Sequence, residues 1–341
     1  MTIELVQRDI YKIDVPLPDN PLRALNSYVI TSGERPVLVD LGFDRVECSD
    51  AIFAGLAELG IGPGEFDIFI THAHPDHTGS INRVWQPGMT VWAGFPSFSY
   101  LRCYYHSHNR GYHLWMADSF EVVPEGHTTP VLSPEEERKV LANEYDYSDM
   151  GDIVMPMSSA PVTLLADGDM LELGSRTFRV IHTLGHDPHH LCLFDGFDGV
   201  LISGDQVLQK ITPNIVSFAL GENNLADYLA SLDYLDTFPV KHVLTGHRGL
   251  YDDLFARTAE LRRHHAERSA EMLAALGRGY DNVKDIARHV TWKNPIPNWD
   301  DWPDKQKYFS IGETIVHLTF LEAKGLVAHE IEGSRITFHL V

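Results

Sequence analysis

The sequence predicts an α/β sandwich with its chemistry gathered along one sheet edge, and three observations predict it. Strand, helix and strand patterns alternate through the first 70 residues. Four separate buried strands each run into a Gly-, Thr- or Pro-rich turn that carries His or Asp. One of these turns, Thr71-His72-Ala73-His74-Pro75-Asp76-His77-Thr78-Gly79, packs three histidines and an aspartate into six consecutive positions. Side chains at successive strand ends converge on one edge of a sheet, where open α/β sheets place their sites.

Residues 3–43 read as strands separated by turns. Ile10–Val15 alternates, Ser27–Ile30 is a short apolar run, Ser32-Gly33-Glu34 is a turn, and Val37-Leu38-Val39 ends in Asp40-Leu41-Gly42. Residues 49–60 carry Ala51, Ile52, Leu56 and Leu59 at helical spacing, with Gly60 as a stop. Phe66–Ile70 is a buried strand feeding the histidine turn. Residues 98–160 break this rhythm with Tyr100, Tyr104, Tyr105, Tyr112, Trp115, Phe120, Tyr145 and Tyr147, interleaved with His106, His108, His113 and His127. Those histidines lack a compact ligand spacing, and the aromatic density suits a cap over a substrate cleft.

Regular structure resumes at Val162–Leu173, where Asp167-Gly168 reads as a hairpin turn. Thr177–Ile181 is a strand that ends in His182-Thr183-Leu184-Gly185-His186-Asp187-Pro188-His189-His190. Gly199–Ser203 ends in Gly204-Asp205, residues 224–236 form an amphipathic helix, and His242–Thr245 ends in Gly246-His247. A carboxylate such as Asp40 at a strand end either caps a turn or orients a neighbouring metal ligand.

Length and charge bound the function. At 341 residues the chain suits one large domain with additions, or two domains. Its formal charge of −21 repels phosphate backbones and anionic membranes, which disfavours a nucleic-acid partner. The start Met1-Thr2-Ile3-Glu4 lacks the pattern of a signal peptide, and no stretch is apolar enough to span a bilayer. Cys48, Cys103 and Cys192 are odd in number and scattered, as in a reducing compartment. The expectation is a cytoplasmic protein that acts on a small molecule and makes no membrane contact, with a homodimer left open.

His72, His74, Asp76 and His77, together with His186 of Thr183-Leu184-Gly185-His186, Asp205 of Ser203-Gly204-Asp205 and His247 of Thr245-Gly246-His247, resemble the metallo-β-lactamase superfamily over about residues 1–265. That resemblance implies an αββα sandwich and a site for two divalent metal ions. His72, His74 and His186 would hold one metal, Asp76, His77 and His247 the other, and Asp205 would bridge them; Asp40 matches an acidic position that supports the site. Imidazole and carboxylate without thiolate suit Zn²⁺ first, with Fe²⁺ or Mn²⁺ also accepted. The implied activity is metal-dependent hydrolysis, in which a metal-bridged hydroxide attacks a small-molecule thioester or a lactone or other ester, and Asp76 orients the nucleophile or takes its proton. Similarity to the glyoxalase II and acyl-thioesterase branches puts thioesters first, although no basic cluster marks a place for the phosphates of coenzyme A. A ribonuclease or phosphodiesterase, and a mononuclear-iron persulfide dioxygenase, are the alternatives. His74 stands where the flavodiiron branch carries Glu, so hydrolysis is expected over oxygen reduction.

Residues 266–341 read as a separate unit, with helices at Arg262–Leu276, Asn282–Val290 and Ile311–Ala323, then strands at Val327–Ile331 and Ile336–Leu340. This pattern resembles the winged-helix tail of some members of that superfamily. Its third helix carries Glu313 and Glu322 against Lys324, a poor charge for a DNA groove. Packing, dimerisation or closure of the cleft is the expected role, and the loop Trp292–Trp302 is expected either to pack or to reach the cleft.

Overall fold

The structure, a computed structural model, describes residues 3–102, 104–105, 155–156, 158–217, 220–293, 296–333 and 335–341. The chain opens with β1 (Ile3–Gln7), β2 (Ile10–Pro16), β3 (Ala24–Ile30), β4 (Val37–Val39), α1 (Val46–Glu58) and β5 (Asp67–Phe69). Two single-turn helices, α2 (Pro75–Thr78) and α3 (Ile81–Val84), precede β6 (Val91–Ala93) and β7 (Val162–Leu164). These seven strands form one sheet in sequence order, antiparallel through β4 and parallel from β4 to β7. The second sheet has the order β12-β11-β10-β9-β8, from β8 (Met170–Leu173), β9 (Arg176–His182), β10 (Leu191–Asp195), β11 (Val200–Gly204) and β12 (His242–Thr245).

The period-2 pleat sorts the apolar side chains into layers. In the first sheet Tyr28, Ile30, Val39 and Phe69 face inward, where they meet Phe178, Val180, Leu193, Ile202 and Leu244 of the second. The alternate residues Val29, Leu38, Ile68 and Val91 face outward and are covered by α1 and α3 through Ile52, Leu56, Ile81 and Val84. On the far side Ile181, Cys192, Leu201 and Val243 are covered by Leu225, Tyr228 and Leu232 of α4 (Asn224–Leu235) and Leu261 of α5 (Leu254–Gly277). Helix, sheet, sheet and helix therefore stack as the αββα sandwich expected.

Asp167-Gly168 does not make the hairpin that the sequence predicts. β7 pairs with β6 in the first sheet, whereas β8 pairs with β9 in the second, so the turn carries the chain from one layer to the other. The Asp169 carboxylate accepts from Ala166 N, and Gly168 N donates to Val180 O, which pins the crossing to β9. An Asp-Gly pair supplies a positive φ, here +87° at Gly168, and that freedom serves a crossover as well as a hairpin.

Beyond the second sheet come α5, α6 (Val283–Arg288), a 3₁₀ turn at Trp299–Asp301, α7 (Asp304–Ala323) and the hairpin of β13 (Val327–Glu332) and β14 (Arg335–Leu340). They share an apolar core of Met272, Ile286, Trp299, Trp302, Ile311, Ile315 and Phe338. Trp299 and Trp302 thus pack within this core. Residue 265 lies inside α5, which runs unbroken across the expected boundary. Glu313 faces α5, and Glu322 accepts a hydrogen bond from the backbone N–H of His329, so both are engaged by neighbouring elements. Of the aromatic insertion, residues 98–102 and 104–105 are helical, and Phe98, Leu101 and Tyr105 are buried against the first sheet's outer core. Cys103, His106, His108, His113, His127 and the later insertion aromatics lie outside the described residues. Cys48 and Cys192 are buried thiols, and among the described residues no helix is long and apolar enough to cross a membrane.

Candidate metal centre

The parallel pairs β4–β5 and β11–β12 end at the same edge, and the turns leaving them carry the polar side chains. β4 delivers Asp40, β5 delivers Thr71 and His72, β11 delivers Asp205 and β12 delivers His247. Pro75 opens α2 directly after His74, which turns Asp76 and His77 back toward the sheets. The two sheets are tied together here. Asn26 Nδ2 donates to Thr245 O (2.9 Å) and Arg248 O (3.0 Å), Tyr28 donates to Thr245 O (2.6 Å), and Leu191 N donates to Thr71 O (2.7 Å).

Three of the site's histidines have Nδ1 fixed by a carbonyl or carboxylate oxygen. His77 Nδ1 bonds Asp40 Oδ2 at 2.8 Å, His247 Nδ1 donates to Ala24 O at 2.8 Å, and His186 Nδ1 donates to Asn214 O at 2.7 Å. In the neutral ring a proton held at Nδ1 leaves Nε2 with a lone pair. All three Nε2 atoms are buried without a hydrogen-bond partner among the described residues, as is Asp205 Oδ1. They converge on one carboxylate: Asp205 stands 3.7 Å from His77 Nε2, 3.9 Å from His186 Nε2 and 3.4 Å from His247 Nε2. Asp76 Oδ2 lies 3.3 Å from His247 Nε2, and His72 Nε2 lies 2.9 Å from His74 Nδ1.

Three overlapping sets of donor atoms result, each within 4.8 Å: His72-His74-His186, His72-His77-Asp205 and Asp76-His77-His247. All seven residues singled out in the sequence are thereby brought together. Buried polar atoms left unpaired are costly in a folded protein, and a cation among them removes that cost. Nitrogen and carboxylate donors, two or three at a time, fit a divalent metal.

Electrostatics separates the groups. Burial, reinforced by His77 and His74, pushes His72 well below the usual imidazole range. Burial and His74 take His186 down to about 4. Burial also works against charge on His77, but Asp40, Asp205 and Asp76 outweigh it and hold that imidazole high, so a cation arriving at Nε2 would displace a proton there. Burial opposes charge on the carboxylates too, yet His77 and His247 hold Asp76 down to about 2, and His247 and His77 hold Asp205 lower still. Both carboxylates are anions at neutral pH, as metal ligation requires.

Residues 21–247 match the family model of the metallo-beta-lactamase superfamily. The chain belongs to the metallo-beta-lactamase superfamily. The matched span contains every donor named above and stops short of the C-terminal elements. A metallo-beta-lactamase family protein from Thermus thermophilus superposes with a TM-score of 0.73 at 26% identity, covering 98% of this chain and 99% of that one. A beta-lactamase domain protein from Burkholderia ambifaria gives 0.77 at 24%, covering 99% and 93%, and shows the shared fold. Among curated proteins, the acyl-coenzyme A thioesterase MBLAC2 of Gallus gallus is 25% identical over 66% of this chain and 73% of its own. An atrochrysone carboxyl ACP thioesterase of Aspergillus chevalieri is 24% identical over 84% and 75%.

Around this superfamily site stand residues that sequence reasoning passed over. His190 is fully buried, bonds Thr183 Oγ1 through Nδ1 (2.8 Å) and accepts from Asp205 N through Nε2 (3.1 Å), so it fixes the backbone that carries Asp205. Gly204 is required beside it: its φ is +47°, and a Cβ there would fall 2.6 Å from His190 Nε2. Tyr105 donates to the Asp187 carboxylate, which joins the start of the insertion to the His186 turn. The run of histidines after Gly185 was the available signal for His190. Asn214 contributes a backbone oxygen, which no residue pattern discloses.

Proposed function

We propose that this chain is a metal-dependent hydrolase that cleaves a small-molecule acyl thioester, with lactones and other esters as the next substrate class. The convergence of three unpaired imidazole nitrogens on Asp205 carries this reading. Thioesterase is also what the names of the Gallus and Aspergillus relatives share. In this reading His72, His74 and His186 hold one divalent cation, Asp76, His77 and His247 a second, and Asp205 serves both, with zinc the first choice of metal. Cations held there would supply Lewis acidity toward a carbonyl oxygen and a water acidic enough to act as nucleophile near neutral pH.

The chain's own residues supply the rest. Asp76 faces the same space as Asp205 and is placed to orient the attacking water and accept its proton. Water adds to the acyl carbon, the C–S bond breaks, and the thiolate leaves and takes up a proton. Asp40 and Ala24 O keep His77 and His247 in the tautomer that presents Nε2. Tyr100, Tyr104 and His189 form an aromatic group with ring centroids 5.4–5.9 Å apart, and Tyr105 lies 6.5 Å from His74. That wall favours an apolar acyl or aryl group. The C-terminal elements fit a winged-helix-like unit that packs on the catalytic sandwich and works without DNA, in a cytoplasmic enzyme.

The test is metal quantification on the purified chain, followed by a panel of acyl thioesters, lactones, phosphodiesters, RNA and β-lactams. Two metals per chain are expected, with thioester turnover that chelation removes and Zn²⁺ restores. One iron per chain with oxygen uptake, or RNA cleavage without thioester turnover, overturns the proposal.

A further inference from the structure

The segment 206–217 leaves Asp205 at one side of the site and returns at Asn214 to the other, where its carbonyl accepts from His186 Nδ1. It has no helix or strand of its own, so side chains must satisfy its backbone. Arg257 of α5 does this upstream of Asn214: Nε donates to Leu208 O (2.7 Å) and Nη2 to Ile211 O (2.8 Å). The remaining nitrogen, Nη1, is held by Glu260 at 2.9 Å. Downstream of Asn214, Ile215 is buried among Leu225, Leu261 and Val316. Val216 packs against the C-terminal core, and its carbonyl accepts from Asn224 Nδ2 at 2.6 Å. The strap is thus clamped on both sides of the one carbonyl that orients His186.

We infer that Arg257 is a positioning residue for His186, acting through this strap, and that α5 thereby sets the affinity of the His72-His74-His186 ligand set; the inference rests on the metal reading above. A guanidinium presents its donors in a rigid planar fork, so one side chain fixes two carbonyls three residues apart with little freedom left to either. The Asp76-His77-His247 set is held outside the strap, because Asp40 and Ala24 O fix His77 and His247, and His190 fixes the backbone of Asp205. Loosening the strap should therefore weaken one metal and spare the other. Groups that orient a metal-binding histidine are worth about 10–100-fold in affinity.

Cobalt(II) titration against a competing chelator, with the visible spectrum recorded at each step, tests this on the full chain. For Arg257→Met, one of the two binding steps should weaken about 10–100-fold with an altered spectrum, while the other step stays unchanged. Arg257→Lys should recover part of the loss, since an ammonium still reaches a carbonyl, and Asn224→Ala should shift the same step by less. A folded Arg257→Met with both steps and the spectrum unchanged overturns the inference, as does equal weakening of both steps. If Arg257→Met does not fold, wild-type cobalt binding in both Arg257→Lys and Asn224→Ala overturns it equally. A wild-type chain that takes up no cobalt overturns the metal reading and this inference with it, whereas two cobalt ions in an insensitive Arg257→Met overturn only the role of the strap.

Discussion

Two buried histidine clusters stand among the described residues, and they are built on different plans. At the sheet edge, His77, His186 and His247 each tie Nδ1 to an outside oxygen and turn an unpaired Nε2 toward Asp205. Between α5 and α7 the rings bond one another instead: His265 Nδ1 lies 3.2 Å from His317 Nε2, and His317 Nδ1 lies 3.0 Å from Ser269 Oγ. The carboxylate there, Glu313, stands 3.8 Å from Arg268 and 3.9 Å from His264 rather than between the paired rings. Among the described residues, the donor sets able to hold a cation all lie at the sheet edge. Burial is shared, so burial alone makes no metal centre. His265 Nε2 is also buried without a hydrogen-bond partner among the described residues, so the distinction is whether the free nitrogen stands beside an anion.

Removing the shared anion should have the largest effect. Asp205→Ala is expected to reduce metal content to less than one per chain and thioester turnover to background. Its effect on metal affinity should exceed the ~10–100-fold typical of supporting groups. Elemental analysis of the dialysed variant checks this, and two retained metals with full turnover would refute the shared role. One step outward, Asp40→Asn keeps the size of the side chain but weakens the hold on His77 Nδ1 and Thr71. Metal affinity should fall by about 10–100-fold, read by chelator competition, with the fold intact by circular dichroism.

The sheet-edge cluster was legible in the sequence because each of its side chains follows a strand that a short apolar run reveals. Which sheet each strand joins was less legible. Both faces of the inner strands are buried in a four-layer sandwich, so a continuous apolar run marks a strand without naming its neighbours, and Asp167-Gly168 reads as a hairpin when it is a crossing between layers. The supports of the site were hidden for other reasons. Asn214 acts through a carbonyl, and Tyr105 meets Asp187 across 82 positions of sequence. The longer extent of α5 was signalled only by Asp253, whose side chain accepts from Ala256 N at the helix start.

The helix cluster yields a smaller and opposite expectation, one of stability rather than metal. Burial, aided by His264, pushes His265 down to about 4, and burial with His265 and Arg268 pushes His317 lower than usual as well. In the unfolded chain His265 titrates near 6.5, so between 6.5 and 4 the unfolded state binds the proton that the folded state refuses. The stability of the metal-free protein should therefore be unaffected by this group above pH 6.5 and fall as the pH drops toward 4. Between pH 7.5 and 5 the contribution is about 2 kcal/mol, at 1.36 kcal/mol per unit of pKa difference. His265→Leu removes it together with the push of His265 on His317, so urea denaturation of metal-free samples should show the wild type losing at least about 2 kcal/mol more than the variant over that interval. The sheet-edge histidines titrate alike in both proteins and cancel in the difference. Equal losses would mean that the paired rings accept protons in the folded state, and the contrast between ring-paired histidines and a ligand set would have to be redrawn.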